Sequence, residues 1–176
     1  MMRRILLVRA VNVGGAKLPM AEFRELLGEL GGSAVRTYIA SGNAIVDVPG
    51  DAEAFDRKVE RALQERYGWF REVTSRTPTE VEEALAAHPL EMLETKFSYI
   101  MFLTEEPTME AIAAAREVDT GDDLWDIVGR EVHLRYTNGA GKANPGIDKA
   151  LRRLKSPGTA RNVNTVRTLI ELATTS

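Results

Sequence analysis

The stretch "VRTYIASGNAIVDV", Val35 to Val48, alternates apolar and polar residues on both sides of a Ser-Gly pair, and its reading decides the fold. A period of two marks strands with one face buried. A turn at Ser41-Gly42 predicts a β-hairpin. Val35/Val48, Thr37/Val46 and Ile39/Ala44 then face each other on one side, and Arg36/Asp47 and Tyr38/Ile45 on the other. The first side makes the better core. The second is half apolar and predicts cover of its own.

What flanks the hairpin sets the topology. Arg3 to Arg9 is near-continuously apolar between its charged ends and reads as a central strand. A helix follows from Pro19 to Leu30, with Met20, Phe23, Leu26, Leu27 and Leu30 at helical spacing and Gly31-Gly32 as the stop. After the hairpin, Asp51 is an N-cap for a helix running to Arg66, with Ala54, Phe55, Val59 and Leu63 inward. Phe70 to Thr74 is a short strand. The order is β-α-β-β-α-β, the ferredoxin-like arrangement.

The order then repeats. Thr77, Pro78 and Glu80 form a capping box for a helix ending near His88-Pro89. Phe97 to Leu103 is a strand, Thr108 to Arg116 a helix, and Leu124 to Tyr136 a hairpin turning at Gly129-Arg130. Pro145 to Leu154 is a helix, Thr159 to Arg161 a short strand, and Val163 to Ala173 a last helix. The expected fold is α+β: two ferredoxin-like halves, residues 1–76 and 97–176, packed together. A linker helix and loop at 77–96 join them, and a C-terminal helix ends the second. The duplication rests on element order, since no sequence identity between the halves is evident.

Composition excludes several chemistries. The 176 residues contain no cysteine, which removes disulfides, thiolate catalysis and cysteine metal sites. His88 and His133 are the only histidines, so no histidine-rich metal site is expected. No apolar run approaches the length of a membrane span. The opening "MMRRILLVRA" is too short and too charged for a signal peptide and reads as the first strand. A cytoplasmic protein is expected. Charge is polarised: residues 1–50 carry net +2, 51–129 net -11 and 130–176 net +6.

Three polar segments stand out. "NVGGAKLP", Asn12 to Pro19, links a central strand to a helix. Its glycines permit positive φ and close backbone approach, the helix start offers free amides, and Lys17 adds a cation, which together describe an anion site. It has neither the spacing of a phosphate-binding P-loop nor that of a dinucleotide fingerprint. "NGAGKANP", Asn138 to Pro145, is similar in character, with Lys142 and an N-capping Asn144. Taking the first and third strands of each half as parallel neighbours places the Lys17 and Lys142 loops at corresponding sheet ends. In "ARNVNTV", Ala160 to Val166, Asn162 or Asn164 N-caps the last helix, and Arg161 sits where the helix dipole disfavours a cation. An acidic side chain or a bound anion is expected beside it.

The hairpin tip Ser41 to Asn43 exposes a hydroxyl and an amide, which alone mean only a turn. Asp126 and His133 face each other across the second hairpin, and a structural pair is favoured over a general base because no serine nucleophile lies beside them. His88 reads as a structural helix-end histidine. Tyr38, Tyr99 and Tyr136 fall on strands, where core packing is favoured over base stacking.

"RAVNVGGAKLPM" with Leu26-Leu27 after it, "VRTYIASGNAIV" and "TARNVNT" together resemble a bacterial family known as domain of unknown function 1697. The resemblance spans nearly the whole chain and implies two ferredoxin-like subdomains, with no activity attached. The matching positions are Arg9, Asn12, Gly14, Gly15, Lys17, Ser41, Gly42, Asn43, Arg161, Asn162, Asn164 and Thr165. The chain departs at Ala10, where the family more often has glycine, and at Val163, where it more often has an aromatic.

The function expected is binding of a small anion, a nucleotide or phosphorylated metabolite, at the glycine-rich strand-to-helix loop. Ligand-binding candidates are Arg9, Asn12, Gly14, Gly15, Lys17, Ser41, Asn43, Lys142, Arg161, Asn162, Asn164 and Thr165. Arg9, Asn12, Lys17 and Arg161 are expected to border one cleft. No acid–base pair is evident, so any catalysis would be electrostatic. The alternatives are a nucleic-acid-binding module using the basic C-terminal third, and a non-catalytic interaction protein whose glycines and asparagines only lock the fold. No metal or membrane is indicated, and the cofactor, if there is one, is unknown.

Overall fold

The computed structural model describes residues 1–175. Its elements run β1 (Met2–Val8), α1 (Met20–Glu29), β2 (Ser33–Tyr38), β3 (Asn43–Val48), α2 (Ala52–Tyr67), β4 (Val73–Arg76) and α3 (Pro78–Ala86). There follow β5 (Ser98–Leu103), α4 (Met109–Arg116), β6 (Leu124–Val128), β7 (Glu131–Arg135), α5 (Pro145–Arg153), β8 (Gly158–Asn162) and α6 (Val163–Thr174). Two four-stranded sheets result, ordered β2-β3-β1-β4 and β6-β7-β5-β8. Each β-α-β-β-α-β set has the strand order of a ferredoxin-like unit, so the repeated element order is a repeated topology. The described chain divides into two compact units, residues 1–82 with 167–175, and residues 83–166.

In the first unit, Leu6, Val8, Ala44, Val46, Val48 and Val73 of the sheet pack against Phe23, Leu26 and Leu27 of α1 and Phe55, Val59 and Leu63 of α2. Asp51 caps α2 by accepting from the Ala54 amide at 2.8 Å, although Ala54 itself is exposed. The opposite sheet face also buries Ile5, Leu7 and Ile45. At its edge Arg3 donates to the Ala173 carbonyl at 3.3 Å. Arg36 donates to the carbonyls of Leu172 and Thr175. Two guanidinium groups thus meet the carbonyl end of α6, where the helix leaves its acceptors unpaired and its dipole is negative.

A buried polar chain lies under α2. Arg4 Nε donates to Ser75 Oγ at 3.1 Å, and that hydroxyl donates to Asp56 Oδ2 at 2.8 Å. Burial pushes the Asp56 carboxyl up to about 6, against the pull of the Ser75 hydrogen bond and of Arg4 and Arg57.

In the second unit, Leu103, Val132 and Leu134 pack on Ala115 of α4, on Ile147 and Ala150 of α5, and on Leu154 just beyond it. Tyr99 and Tyr136 meet edge to face with centroids 5.3 Å apart against this core, a packing role. The capping box of α3 forms as read, with the Thr77 amide donating to Glu80 Oε2 at 3.0 Å and the Glu80 amide donating to Thr77 Oγ1 at 3.1 Å.

Three expectations are corrected. First, the hairpin turns through a four-residue loop, 39–42, and not at a two-residue Ser41-Gly42 turn. Arg36 pairs with Ile45, Thr37 with Ala44 and Tyr38 with Asn43. A tight two-residue turn of the favoured kind needs positive φ at both central residues. Here the positive values fall on Ile39 and Gly42, and Asn43 closes the loop through its side chain. Asp47 consequently pairs with Arg3 of β1, at 2.9 Å, and not with Arg36.

Second, β1 and β3 are antiparallel, as are β5 and β7. The loops after the first and third strands of a unit therefore leave from opposite sheet ends. The Lys17 loop follows the first strand of its unit. The Lys142 loop follows the third of the other, where Gly139 lies against Phe97 before β5. The two loops are not topological equivalents.

Third, β4 begins at Val73, three residues later than read. Gly68 ends α2 with φ 78°, Trp69 stacks on Tyr67 at 5.6 Å, and Phe70 is left exposed. The chain reaches the sheet only after this detour.

Candidate functional site

The β1–α1 loop is built around Asn12. Its Oδ1 accepts from the Leu18 amide at 2.8 Å, while its Nδ2 donates to the Leu18 carbonyl at 2.9 Å and the Ala40 carbonyl at 2.6 Å. The Asn12 amide donates to the Ala16 carbonyl at 2.7 Å. One side chain thus closes its own loop and ties it to the hairpin loop. A second tie runs from the Val8 amide to the Gly42 carbonyl at 2.9 Å.

Backbone strain concentrates in these two loops. Ala10, Asn12 and Ile39 have φ of 51°, 58° and 48°, joined by Gly14 at 80° and Gly42 at 86°. Left-handed backbone is tolerated by asparagine, costs alanine about 1 kcal/mol, and is an outlier for a β-branched residue such as Ile39. Ala10 stands at a position whose backbone suits glycine. Gly42 has a second reason to lack a side chain: a Cβ would sit 2.7 Å from Val11 Cγ2 and 3.0 Å from the Val8 carbonyl oxygen.

The tip of the loop is open. A Cβ at Gly14 or Gly15 would meet nothing within 4 Å. Their amides make no hydrogen bond among the described residues. Lys17 is exposed and pairs with no carboxylate among those residues. Val13 and Ile39 are exposed, at 65% and 52%. Arg9 is half exposed but engaged: its Nη1 lies 3.2 Å from Glu72 Oε2, and its amide donates to the Glu72 carbonyl. Asn43 is fully buried, with Nδ2 donating to the Tyr38 carbonyl at 2.9 Å and Ser41 Oγ at 2.8 Å.

The remaining candidates lie in the second unit. Lys142 is exposed on a short 3-10 turn, Ala140–Lys142. Asp123 holds that segment, accepting from the Thr137 amide at 2.9 Å and the Asn144 amide at 2.7 Å while buried. Asn144 caps α5 through the Gly146 amide. Arg161 is buried within β8 opposite Ile100, and burial pulls its guanidinium down to about 10. Asn162 Oδ1 accepts from the Thr165 amide at 2.9 Å and caps α6; Asn164 is exposed and Thr165 buried in the first turn.

Of the expected cluster, Arg9, Asn12, Gly14, Gly15, Lys17, Ser41 and Asn43 therefore share one pair of joined loops. Lys142, Arg161, Asn162, Asn164 and Thr165 belong to the other compact unit.

Asp126 and His133 face each other in register as read. Their side chains are engaged elsewhere: Asp126 accepts from Arg116 at 2.8 Å, and His133 meets His88. Sequence reasoning missed Glu72, Asp123 and the histidine pair. A buried acid inside "TGDDLW" carries no local signature, and the histidines are 45 residues apart.

Comparison with known proteins follows from this architecture. The family model described as a protein of unknown function, DUF1697, matches residues 1–133. The chain belongs to this family. The match covers the two joined loops and ends before the Lys142 and Arg161 segments. Among solved structures, the conserved bacterial protein SP0830 from Streptococcus pneumoniae is 23% identical, with a TM-score of 0.77 over 99% of both chains. That likeness is one of fold. No curated protein matches the chain. Among the described residues no helix is long and apolar enough to cross a membrane, and no three metal-ligating side chains converge.

Proposed function

We propose that this DUF1697 protein binds a small anion, of the size of a nucleotide or phosphorylated metabolite, at the β1–α1 loop. The observation that carries the reading is the open tip. Gly14 and Gly15 lie exposed beside Lys17 on a turn whose base is fixed by the Asn12 side chain, which donates two hydrogen bonds and accepts a third. A preformed turn spares a ligand the entropy of ordering it. Unpaired amides and an unpaired ammonium suit phosphate oxygens. Arg9 is partnered by Glu72, so recognition of charge falls chiefly to Lys17. Val13 and Ile39 offer an apolar wall for the rest of the ligand.

Calorimetric titration with inorganic phosphate, pyrophosphate and nucleoside monophosphates tests this. Saturable binding that Lys17→Ala weakens at least tenfold, with the melting temperature unchanged, supports the site. Absence of binding by every anion, or binding indifferent to Lys17, refutes it.

A second reading has its own support. Asn12, Asn43, Asn144 and Asn162 all spend side-chain groups on backbone partners inside the chain. On that reading the motifs lock the loops, and the exposed tip is an interaction surface of a protein without catalytic activity.

A further inference from the structure

His133 lies on β7 with Asp126 of β6 on one side and Ile100 of β5 on the other, and Arg161 of β8 lies beyond Ile100. Glu131 and Arg135 flank it on its own strand. His88 follows α3 and brings its ring edge-on to the ring of His133, with centroids 4.8 Å apart at 65°. The two Nδ1 atoms are 2.7 Å apart, a hydrogen-bond distance. Both Nε2 atoms are buried without a partner. The segment after His88 is tied to the same strand once more, where Arg135 donates to the Glu91 carbonyl at 3.2 Å.

Counting protons shows that this contact is poised. A neutral imidazole carries one N–H. One proton lies between the Nδ1 atoms, so the accepting ring must carry its own on Nε2. That buried N–H has no acceptor, at a cost of about 1–3 kcal/mol. A further proton gives both rings an unpaired Nε2–H and adds charge to a buried site. A second sets N–H against N–H and breaks the contact. Asp126, the carboxylate opposite His133 on β6, is already taken by Arg116 and by the Ile127 amide at 2.8 Å.

We propose that the His88–His133 pair is an acid-released latch that fastens residues 83–92 to the sheet of the second unit. Burial, and after it the charge of His88, pull the His133 imidazole down to about 4; Asp126 opposes this weakly. Burial lowers His88 as well. The opened segment would present histidines of ordinary basicity. Acid therefore favours opening, since the open form takes up the protons that the closed form excludes.

Hydrogen exchange of the full chain, read by mass spectrometry on peptides covering residues 83–92, tests the latch. After correction for intrinsic exchange, protection of this segment falls at least tenfold between pH 7.5 and pH 4.5, while β5 and β7 stay protected. In the double variant His88→Asn/His133→Asn, an amide pair replaces the imidazoles and does not titrate. Its segment keeps its protection within about threefold over the same range. Loss of protection of equal size in both proteins assigns the effect to the glutamates of the segment and overturns the proposal. So does an unchanged wild type. If the double variant fails to fold, nitrogen NMR of the wild-type imidazoles decides. One ring protonated at Nδ1 and the other at Nε2 at pH 7.5, both titrating well below 6.5, supports the latch. Two rings titrating near 6.5 overturn it.

Discussion

Removing the Asn12 side chain tests whether the clamp holds the two loops or merely accompanies them. Asn12→Ala deletes three hydrogen bonds, at 2.8, 2.9 and 2.6 Å. Each is worth about 0.5–1.5 kcal/mol net, and loops at the surface belong in the lower half of that range. The sum is about 2 kcal/mol. Alanine at φ 58° adds about 1 kcal/mol of left-handed strain. The expected loss is about 3 kcal/mol, or roughly 5–10 °C in melting temperature for a chain of this size. Urea unfolding followed by circular dichroism at pH 7.5, with the m-value unchanged, measures it. Two companion variants divide the effect. Asn12→Gly removes the bonds without the strain but adds freedom to the unfolded chain, so it should fall within about 1 kcal/mol of Asn12→Ala. Asn12→Asp keeps an acceptor for the Leu18 amide yet turns a carboxylate towards the carbonyls of Leu18 and Ala40, and should be no better than alanine. If Asn12→Gly were as stable as the wild type, the side chain would be present only for its backbone tolerance, and the reasoning about a preformed turn would fall with it.

Gly42→Ala should cost about 2–4 kcal/mol, combining left-handed strain with overpacking against Val11 and Val8; a loss below 1 kcal/mol would contradict the close approach. Asp123→Ala removes the buried acceptor of the part-buried Thr137 and Asn144 amides and should cost about 1–3 kcal/mol, with exchange of those two amides speeding before global unfolding. Asp56 gives a pH signature. Its carboxyl titrates at about 6 in the fold against 3.8 when free, so its contribution to stability is fully present below 3.8 and is lost as pH rises through about 6. The displacement corresponds to about 3 kcal/mol at neutral pH. Asp56→Asn should accordingly lose less stability than Asp56→Ala at pH 7.5, and its stability should vary less than that of the wild type between pH 4 and 6. A wild-type profile with no such fall on going from pH 4 to 6, relative to Asp56→Asn, would show that the carboxyl is solvated.

Much of the architecture was legible because it rests on local signals. Asp51, Thr77, Thr108 and Asn162 each announce a helix start by residue type, and each accepts the expected backbone amide. The Gly129-Arg130 hairpin was legible to the residue, since a two-residue turn leaves only one register. The first hairpin was not. Its register depends on Ile39 adopting a left-handed backbone and on Asn43 bonding back to Tyr38, and neither preference is written in the alternation. Strand direction was misjudged for the same class of reason: apolar runs say that β1 is central but not which way its neighbour points. The loop motif of the site was visible from its glycines and lysine, whereas its anchoring was not. Ala40 contributes only a carbonyl, and Glu72 reaches Arg9 from 63 residues away. Arg161 illustrates the limit of a dipole argument. It lies on a strand ahead of a helix as read, but it is buried opposite Ile100, which the dipole argument could not say.

The two arginines that meet the end of α6 have a consequence for how the chain is made. Arg3 and Arg36 leave the ribosome well before the carbonyls they bind, on Leu172, Ala173 and Thr175. At about 5–20 residues per second, roughly ninety residues of further synthesis, or about 5–20 s, separate the completion of residue 82 from the arrival of residue 172. During that interval the first β-α-β-β-α-β set has every strand it needs, while Arg3 and Arg36 lack the carbonyls that they bind in the finished fold. A nascent chain stalled in this window would carry a complete set of strands with two guanidinium groups short of their carbonyl acceptors. Completion of the N-terminal unit is thereby deferred to the last turn of the C-terminal helix.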